Sequence, residues 1–134
     1  MATLVFFQAF LEDMPEKVHN LGSDTLTVAL TNSAPNASTG GQLSDITEIT
    51  YTNLSARAIT TSSSSQTSGT YTLVLTDLTL TASGSVGPFR YVVIYNDTAT
   101  NDELICYYDY GSAVTMASSE TFDIDFGASL FSMS

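Results

Sequence analysis

Apolar and polar residues alternate through the second half of the chain. Tyr71, Leu73 and Leu75 are separated by threonines, and after Asp77 the phase flips, so that Leu78, Leu80 and Ala82 alternate with Thr79 and Thr81. A period of two marks a strand with one dry and one wet face. The one-residue phase change predicts a bulge or bend near Thr76–Asp77, because such a shift turns every following side chain over. The next run is denser. Phe89, Tyr91, Val93 and Tyr95 fall on one face, and Val92 and Ile94 on the other. A strand apolar on both faces belongs in the middle of a covered sheet. Glu103–Tyr110 follows as its hairpin partner across the Asn96–Asp102 turn, with Leu104, Cys106, Tyr108 and Tyr110 on one face and Ile105 and Tyr107 on the other.

The remaining segments are read around this frame. Leu4, Phe7, Leu11, Met14 and Val18 recur at steps of three and four, which predicts a helix over residues 3–14, capped by Thr3 and stopped by Pro15. A strand over Thr3–Phe7 is the alternative, since short apolar runs fit both periods. Thr25–Thr31 reads as a strand with Leu26, Val28 and Leu30 inward and Thr25, Thr27 and Thr31 outward. A polar loop runs from Asn32 to Gln42, and Asp45–Tyr51 has the spacing of a helical turn. A strand is expected over Ala56–Thr61. Thr60–Ser68 reads as a Ser/Thr edge strand that turns at Gly69, with a flexible loop as the alternative. Gly87 and Pro88 fall in a turn before the central strand. Val114 and Met116 begin a separate short strand, Phe122, Ile124 and Phe126 point inward, and Leu130–Met133 closes the chain as a last strand. Seven or eight strands with regular turns predict a mainly β chain: an antiparallel β-sandwich or jelly-roll-like domain with a short N-terminal helix. The whole of 1–134 reads as one domain, with 1–18 as an N-terminal helical or anchor segment.

Composition narrows the function. A chain of 134 residues, 43% hydrophobic, can bury one core without disulfides or metal. Fourteen acidic residues against three basic ones, Lys17, Arg57 and Arg90, give a net charge of −11. Phosphate neutralisation needs lysine and arginine, so no nucleic-acid partner is expected, and an anionic membrane would repel the chain. No run approaches the ~20 apolar residues of a membrane span, and the N-terminus lacks the basic start and cleavage site of a signal peptide. The acidity suits solubility or a partner with basic patches.

No constellation of catalytic residues stands out, and no catalytic residue, cofactor or metal site is assigned. Acid–base chemistry needs titratable pairs with separated pKa values, whereas the carboxylates here fall in turns or on outward strand positions. Glu120, Asp123 and Asp125 could form an acidic patch, but a solvated strand face is the ordinary reading. Asp97 with Asn101, Asp102 and Glu103 offers oxygens to calcium without a recognised loop spacing. Cys106 reads as a small buried hydrophobe, and His19 as a hydrogen-bonded turn residue. Tyr107, Tyr108 and Tyr110 would serve packing first and a protein or sugar contact second. Open Ser/Thr strand edges are expected to be covered by another subunit.

The stretch Leu21-Gly-Ser-Asp-Thr-Leu-Thr-Val-Ala-Leu-Thr-Asn-Ser-Ala-Pro resembles the opening of a family of small tailed-bacteriophage virion proteins. Ser63–Tyr71, Gly87–Thr98, Tyr108–Ser112 and Glu120–Phe126 are similar to that family's other recurring blocks. The likeness spans most of the chain and is structural in kind; Thr27 departs from it, where the family often has a lysine. It implies a virion structural protein, with a capsid decoration or cement protein on the outer head surface as the favoured reading. A tail or fibre component, or a receptor- or glycan-binding module, is the alternative. The expected partners are the major capsid protein or another virion protein and further copies of the chain, a trimer being favoured. Leu4, Phe6, Phe7, Phe10 and Leu11 are the expected contact with the capsid or a neighbouring subunit.

Overall fold

The computed structural model describes residues 3–134; Met1, Ala2 and the Thr3 side chain, with its expected capping role, lie outside what it describes. The fold is mainly β and antiparallel, with one short helix. In chain order the elements are β1 (Thr3–Phe6), α1 (Gln8–Asp13), β2 (Leu26–Thr31), a 3-10 turn (Leu43–Asp45), β3 (Ala58–Ile59), β4 (Thr61–Thr67), β5 (Thr70–Leu75), β6 (Leu78–Thr81), β7 (Val86–Asn96), β8 (Leu104–Met116), β9 (Thr121–Ile124) and β10 (Phe131–Met133). One sheet has the order β1-β8-β7-β2-β3. Opposite it lie a three-stranded sheet, β10-β5-β4, and a two-stranded one, β6-β9. The core fills the space between: Val28, Leu30, Val92 and Ile94 from the large sheet meet Leu73 and Leu75 of β5, Leu80 of β6 and Ile124 of β9. This is a two-layered sandwich.

The large sheet also has a second buried face. Phe7, Ala29, Val93, Tyr95 and Leu104 form a smaller apolar cluster there, with Leu43, Ile46 and Tyr107 packed against it. Strand β7 therefore contributes to both clusters, as its two-sided apolar pattern requires. Leu43 and Ile46, from the segment between β2 and β3, cover the second cluster, and the later part of that segment is bonded to β2. Ile49 N–H donates to Leu30 O (3.0 Å), Val28 N–H to Arg57 O (3.0 Å), and Leu30 N–H to the Tyr51 hydroxyl (2.9 Å). Arg57 lies 3.7 Å over the Tyr51 ring and donates to Val28 O. This cover corrects the reading of β2. Thr27 and Thr31, expected to face water, are buried, as is every residue of the strand.

The N-terminus also departs from expectation. Residues 3–14 are not one helix but strand β1 followed by α1, with Phe7 in extended backbone (φ −71°, ψ 140°) between them. β1 pairs antiparallel with β8, Thr3 opposite Asp109 through Phe6 opposite Cys106. Period two sends Phe6 to the main core and Phe7 to the second cluster, which a helix could not do with adjacent residues. The helix ends at Asp13, with Met14 as its cap, immediately before Pro15, whose ring would clash with the preceding turn.

Bulges account for other differences. Tyr95 pairs with Leu104 and Ile94 with Cys106, so Ile105 is an extra residue in β8. Ile105 and Cys106 both enter the main core, and Leu104 joins Tyr107 on the other face, contrary to strict alternation. A larger irregularity separates Tyr91–Asp109 from Phe89–Val114; it carries Phe89 into the main core with Val92 and Ile94, away from Val93 and Tyr95. β8 runs on through Val114 and Met116, so these belong to one strand and not to a separate one. Gly87 and Pro88 lie inside β7 rather than in a turn. Gly87 has φ +113°, and a Cβ there would sit 2.6 Å from Val114 O, so only glycine fits.

The expected bend at Thr76–Asp77 is where the chain leaves the three-stranded sheet as β5 and enters the two-stranded one as β6. The helical turn expected over Asp45–Tyr51 lies earlier, at Leu43–Asp45, where the Asp45 carboxylate accepts the Gly41 and Gln42 N–H groups at 2.9 Å each and its pKa falls accordingly. The strand expected over Ala56–Thr61 shrinks to Ala58–Ile59, with Ile59 buried and Ala58 exposed. The edge strand β4, its two-residue turn at Ser68-Gly69 and the closing strand β10 are as expected. Ser68 (φ 52°) and Gly69 (φ 87°) both adopt positive φ, the geometry a tight hairpin demands. Among the described residues no helix is long and apolar enough to cross a membrane.

Candidate functional site

The five N-terminal residues expected at a contact surface divide sharply. Phe7 and Phe10 belong to this chain's own core, and Leu4 and Phe6 are half-buried against it. Phe6, Phe10 and Phe131 form an aromatic cluster with ring centroids 5.5–5.8 Å apart, stacked or edge-to-face, which clamps α1 to β10. Leu11 alone of the five stands free, 70% exposed on the outer side of α1. The segment is thus mostly a structural staple presenting one apolar side chain.

A second apolar surface lies elsewhere. A groove of about 520 Å³ runs between the β1–β8 side of the large sheet and β9. Leu4, Tyr108, Phe126 and Leu130 line it, with Tyr110 and Phe122 at one end and Asp123 and Asp125 among its walls. Tyr110 is 53% exposed and its ring lies 5.3 Å from that of Phe122. The Tyr108 hydroxyl is pushed up to about 12, first by burial and then by neighbouring negative groups including Asp125 and Asp77, so it stays a neutral donor at any ordinary pH. The carboxylates are partly engaged: Asp123 accepts from the Thr79 hydroxyl at 2.8 Å, Asp125 from Gly127 N–H at 2.7 Å, and Asp77 from Phe126 N–H at 3.0 Å. Glu120 accepts the Ala117 N–H, and Glu120, Asp123 and Asp125 are all exposed, as the reading of a solvated strand face expects.

A third region is a wide depression of about 1070 Å³ beneath the β7–β8 loop, where His19 meets Asn96. The Asn96 amide donates to His19 Nδ1 (2.9 Å) and to the Asp24 carboxylate (2.7 Å), while its carbonyl oxygen accepts the Thr98 and Ala99 N–H groups. Because Asn96 Nδ2 is a donor, Nδ1 must accept and the proton sits on Nε2. Nε2 is buried without a partner, beside the Phe10 ring at 5.3 Å between centroids. Burial lowers the His19 pKa against the opposing pull of Glu103 and Asp24. His19 is the hydrogen-bonded turn residue expected, now seen to join the turn after α1 to the end of β7.

In the Asp97–Glu103 loop the Glu103 carboxylate accepts the Asn101 N–H at 2.7 Å. Among the described residues no group of three or more His, Cys, Asp or Glu is placed to hold a metal ion. Cys106 is wholly buried, and burial pushes its thiol pKa up. Two of the three cations are committed: Arg57 to Tyr51 and Val28 O, and Arg90 to Asp109 through two bonds of 2.8 and 3.1 Å. The acidic surface is thus little compensated from within. Sequence reasoning missed the groove, because its walls come from Leu4, Tyr108 and Asp125, and no local period links them. Comparison with known protein families, curated proteins and solved structures returns no match for this chain.

Proposed function

We propose that this chain is a structural protein of a tailed-bacteriophage particle, a decoration or cement protein that attaches to the outer surface of the head and braces it. The observation that carries the reading is the family resemblance from Leu21 to Phe126, whose blocks fall on β2, β4–β5, β7, β8 and β9, the strands that build the sandwich. A likeness concentrated in framework strands suits a protein valued for its shape. The surface agrees: a net charge of −11 favours a basic partner face, and Leu11 with Tyr110 offers exposed apolar contacts. Repeated weak contacts on a lattice then add through avidity, most simply as the trimer that the resemblance implies. The partner is the major capsid protein or another virion protein.

Because Phe7 and Phe10 are core residues, the contact is centred on Leu11, with Leu4 and Phe6 as its half-buried flank. Purified protein added to tail-free heads tests the reading: saturable binding supports it, and binding to tails alone moves the chain to a tail or fibre role. The groove between β8 and β9 favours a second reading, a receptor- or glycan-binding module, because Tyr110 and Phe122 beside carboxylates suit a sugar face. Binding to a glycan array that Tyr110→Ala abolishes would select it.

A further inference from the structure

Strand β4 is an outer strand of the three-stranded sheet and, among the described residues, the longest of the outer strands. The other outer strands among the described residues are β1, β3 and β10 and the pair β6-β9, none longer than four residues. Brevity is one way a protein protects an edge from pairing; charge and proline are others. β4 has seven residues and neither safeguard. In a chain of net charge −11, no charged residue occurs from Ala58 to Thr76, so two copies of the β4–β5 hairpin can approach without side-chain charge repulsion between them. Its only irregularity is a register shift at Thr61/Ser63; Ser63–Thr67 pair regularly with β5.

The hairpin fixes which backbone groups are free. Across the two-residue turn Thr67 and Thr70 exchange backbone bonds, and alternation makes Ser65 and Ser63 the other residues bonded to β5. Ser64 and Gln66 therefore turn N–H and C=O outward. The strand is held straight: the Ser64 and Tyr71 hydroxyls are 2.8 Å apart, and Gln66 Oε1 accepts the Gly69 N–H at 3.1 Å.

We propose that β4 is a self-association edge. Two copies pair their β4 strands antiparallel about a twofold axis at Ser65, and two three-stranded sheets become one sheet of six. In this register Ser64 of one copy bonds Gln66 of the other, twice, satisfying all the outward groups of both residues. Ser65 faces its own symmetry mate. The contact needs no head and no other protein, so it goes beyond the decoration reading and stands apart from it. A strand edge buries less than the ~800 Å² per partner of a standard stable interface, so the pairing is weak in solution and fills on a crowded lattice.

Cysteine cross-linking tests the register. Residues facing each other at such an axis have Cα atoms about 4.5 Å apart, within the roughly 4.4–6.8 Å a disulfide spans. Ser65→Cys at about 100 μM under mild oxidation is expected to give a covalent dimer, and Ser63→Cys, which faces Thr67 across the axis, is not. Cys106 is fully buried and does not compete. Sedimentation of the unmodified protein up to about 1 mM should show reversible association, weakened at least ~10-fold by Ser65→Lys. A monomer throughout that range overturns the proposal. So does an oligomer in which Ser65→Cys cross-links no better than Ser63→Cys. A monomer that still decorates heads refutes this edge and leaves the decoration reading standing; a β4-linked pair that ignores heads does the reverse.

Discussion

Asn96 holds His19 across 77 positions of sequence, its amide 2.9 Å from Nδ1, and so fixes the imidazole as the neutral Nε2–H form. Protonation would set a second donor against the amide inside a buried site. Burial holds the folded pKa below the ordinary 6.5, against the pull of Glu103 and Asp24. A group depressed in the fold binds fewer protons folded than unfolded, so its contribution is complete above pH 6.5 and is lost as pH falls from there through the folded value. Thermal melts between pH 7.5 and 5 should show a falling midpoint, and His19→Gln should flatten that part of the curve.

Asn96→Ala removes the amide from His19 and Asp24 and the acceptor from Thr98 and Ala99 N–H. Leaving buried polar groups unpaired costs about 1–3 kcal/mol each in such sites. Urea unfolding should lose at least about 2 kcal/mol, with the slope unchanged.

The N-terminal segment separates stability from attachment. Phe7→Ala empties a fully buried site in the second cluster and should cost about 3–5 kcal/mol. Leu11→Ser changes an exposed side chain and should stay within ~0.5 kcal/mol of the parent. Head binding should fall with Leu11→Ser while the urea midpoint holds. Deleting residues 1–11 removes β1 and Phe10 together and reports on folding rather than on binding.

Gly87→Ala places a methyl group against Val114 O at a backbone angle foreign to side chains, and should destabilise by roughly 2 kcal/mol or more. Gly111→Ala shares the positive φ (97°) but meets no neighbour within 4 Å, so its loss should be smaller. The difference between the two melts isolates the steric part.

Cys106 should resist a thiol reagent in the native protein, because it is both inaccessible and pushed up in pKa by burial. Labelling should appear only with unfolding, along the urea transition.

Much of the framework was legible because a half-buried strand writes its faces into the sequence. β5, β6, β9 and the two-sided β7 could be read from their alternation. The errors arose where tertiary structure overrides local pattern. Thr27 and Thr31 look wet, but they share the face of β2 with Ala29, which belongs to the second buried cluster under Leu43 and Ile46. Leu104 and Phe89 changed sides through bulges that cost one or a few residues and leave no periodic trace. Leu4, Phe7 and Leu11 fit a helix by count, yet the need to split Phe6 from Phe7 between two cores decides for a strand. Which of Leu4, Phe6, Phe7, Phe10 and Leu11 reach the surface depends on that split, which leaves only Leu11 exposed. The groove and the His19–Asn96 contact join residues tens of positions apart, and no local signal announces them.

The most direct measurement is a cryo-EM map of phage particles carrying this protein, compared with particles lacking it. The account predicts density for a small two-layered β domain on the outer face of the head, with α1 and Leu11 turned toward the shell. Heads with identical maps in the two preparations, or the domain found only on the tail, would contradict it.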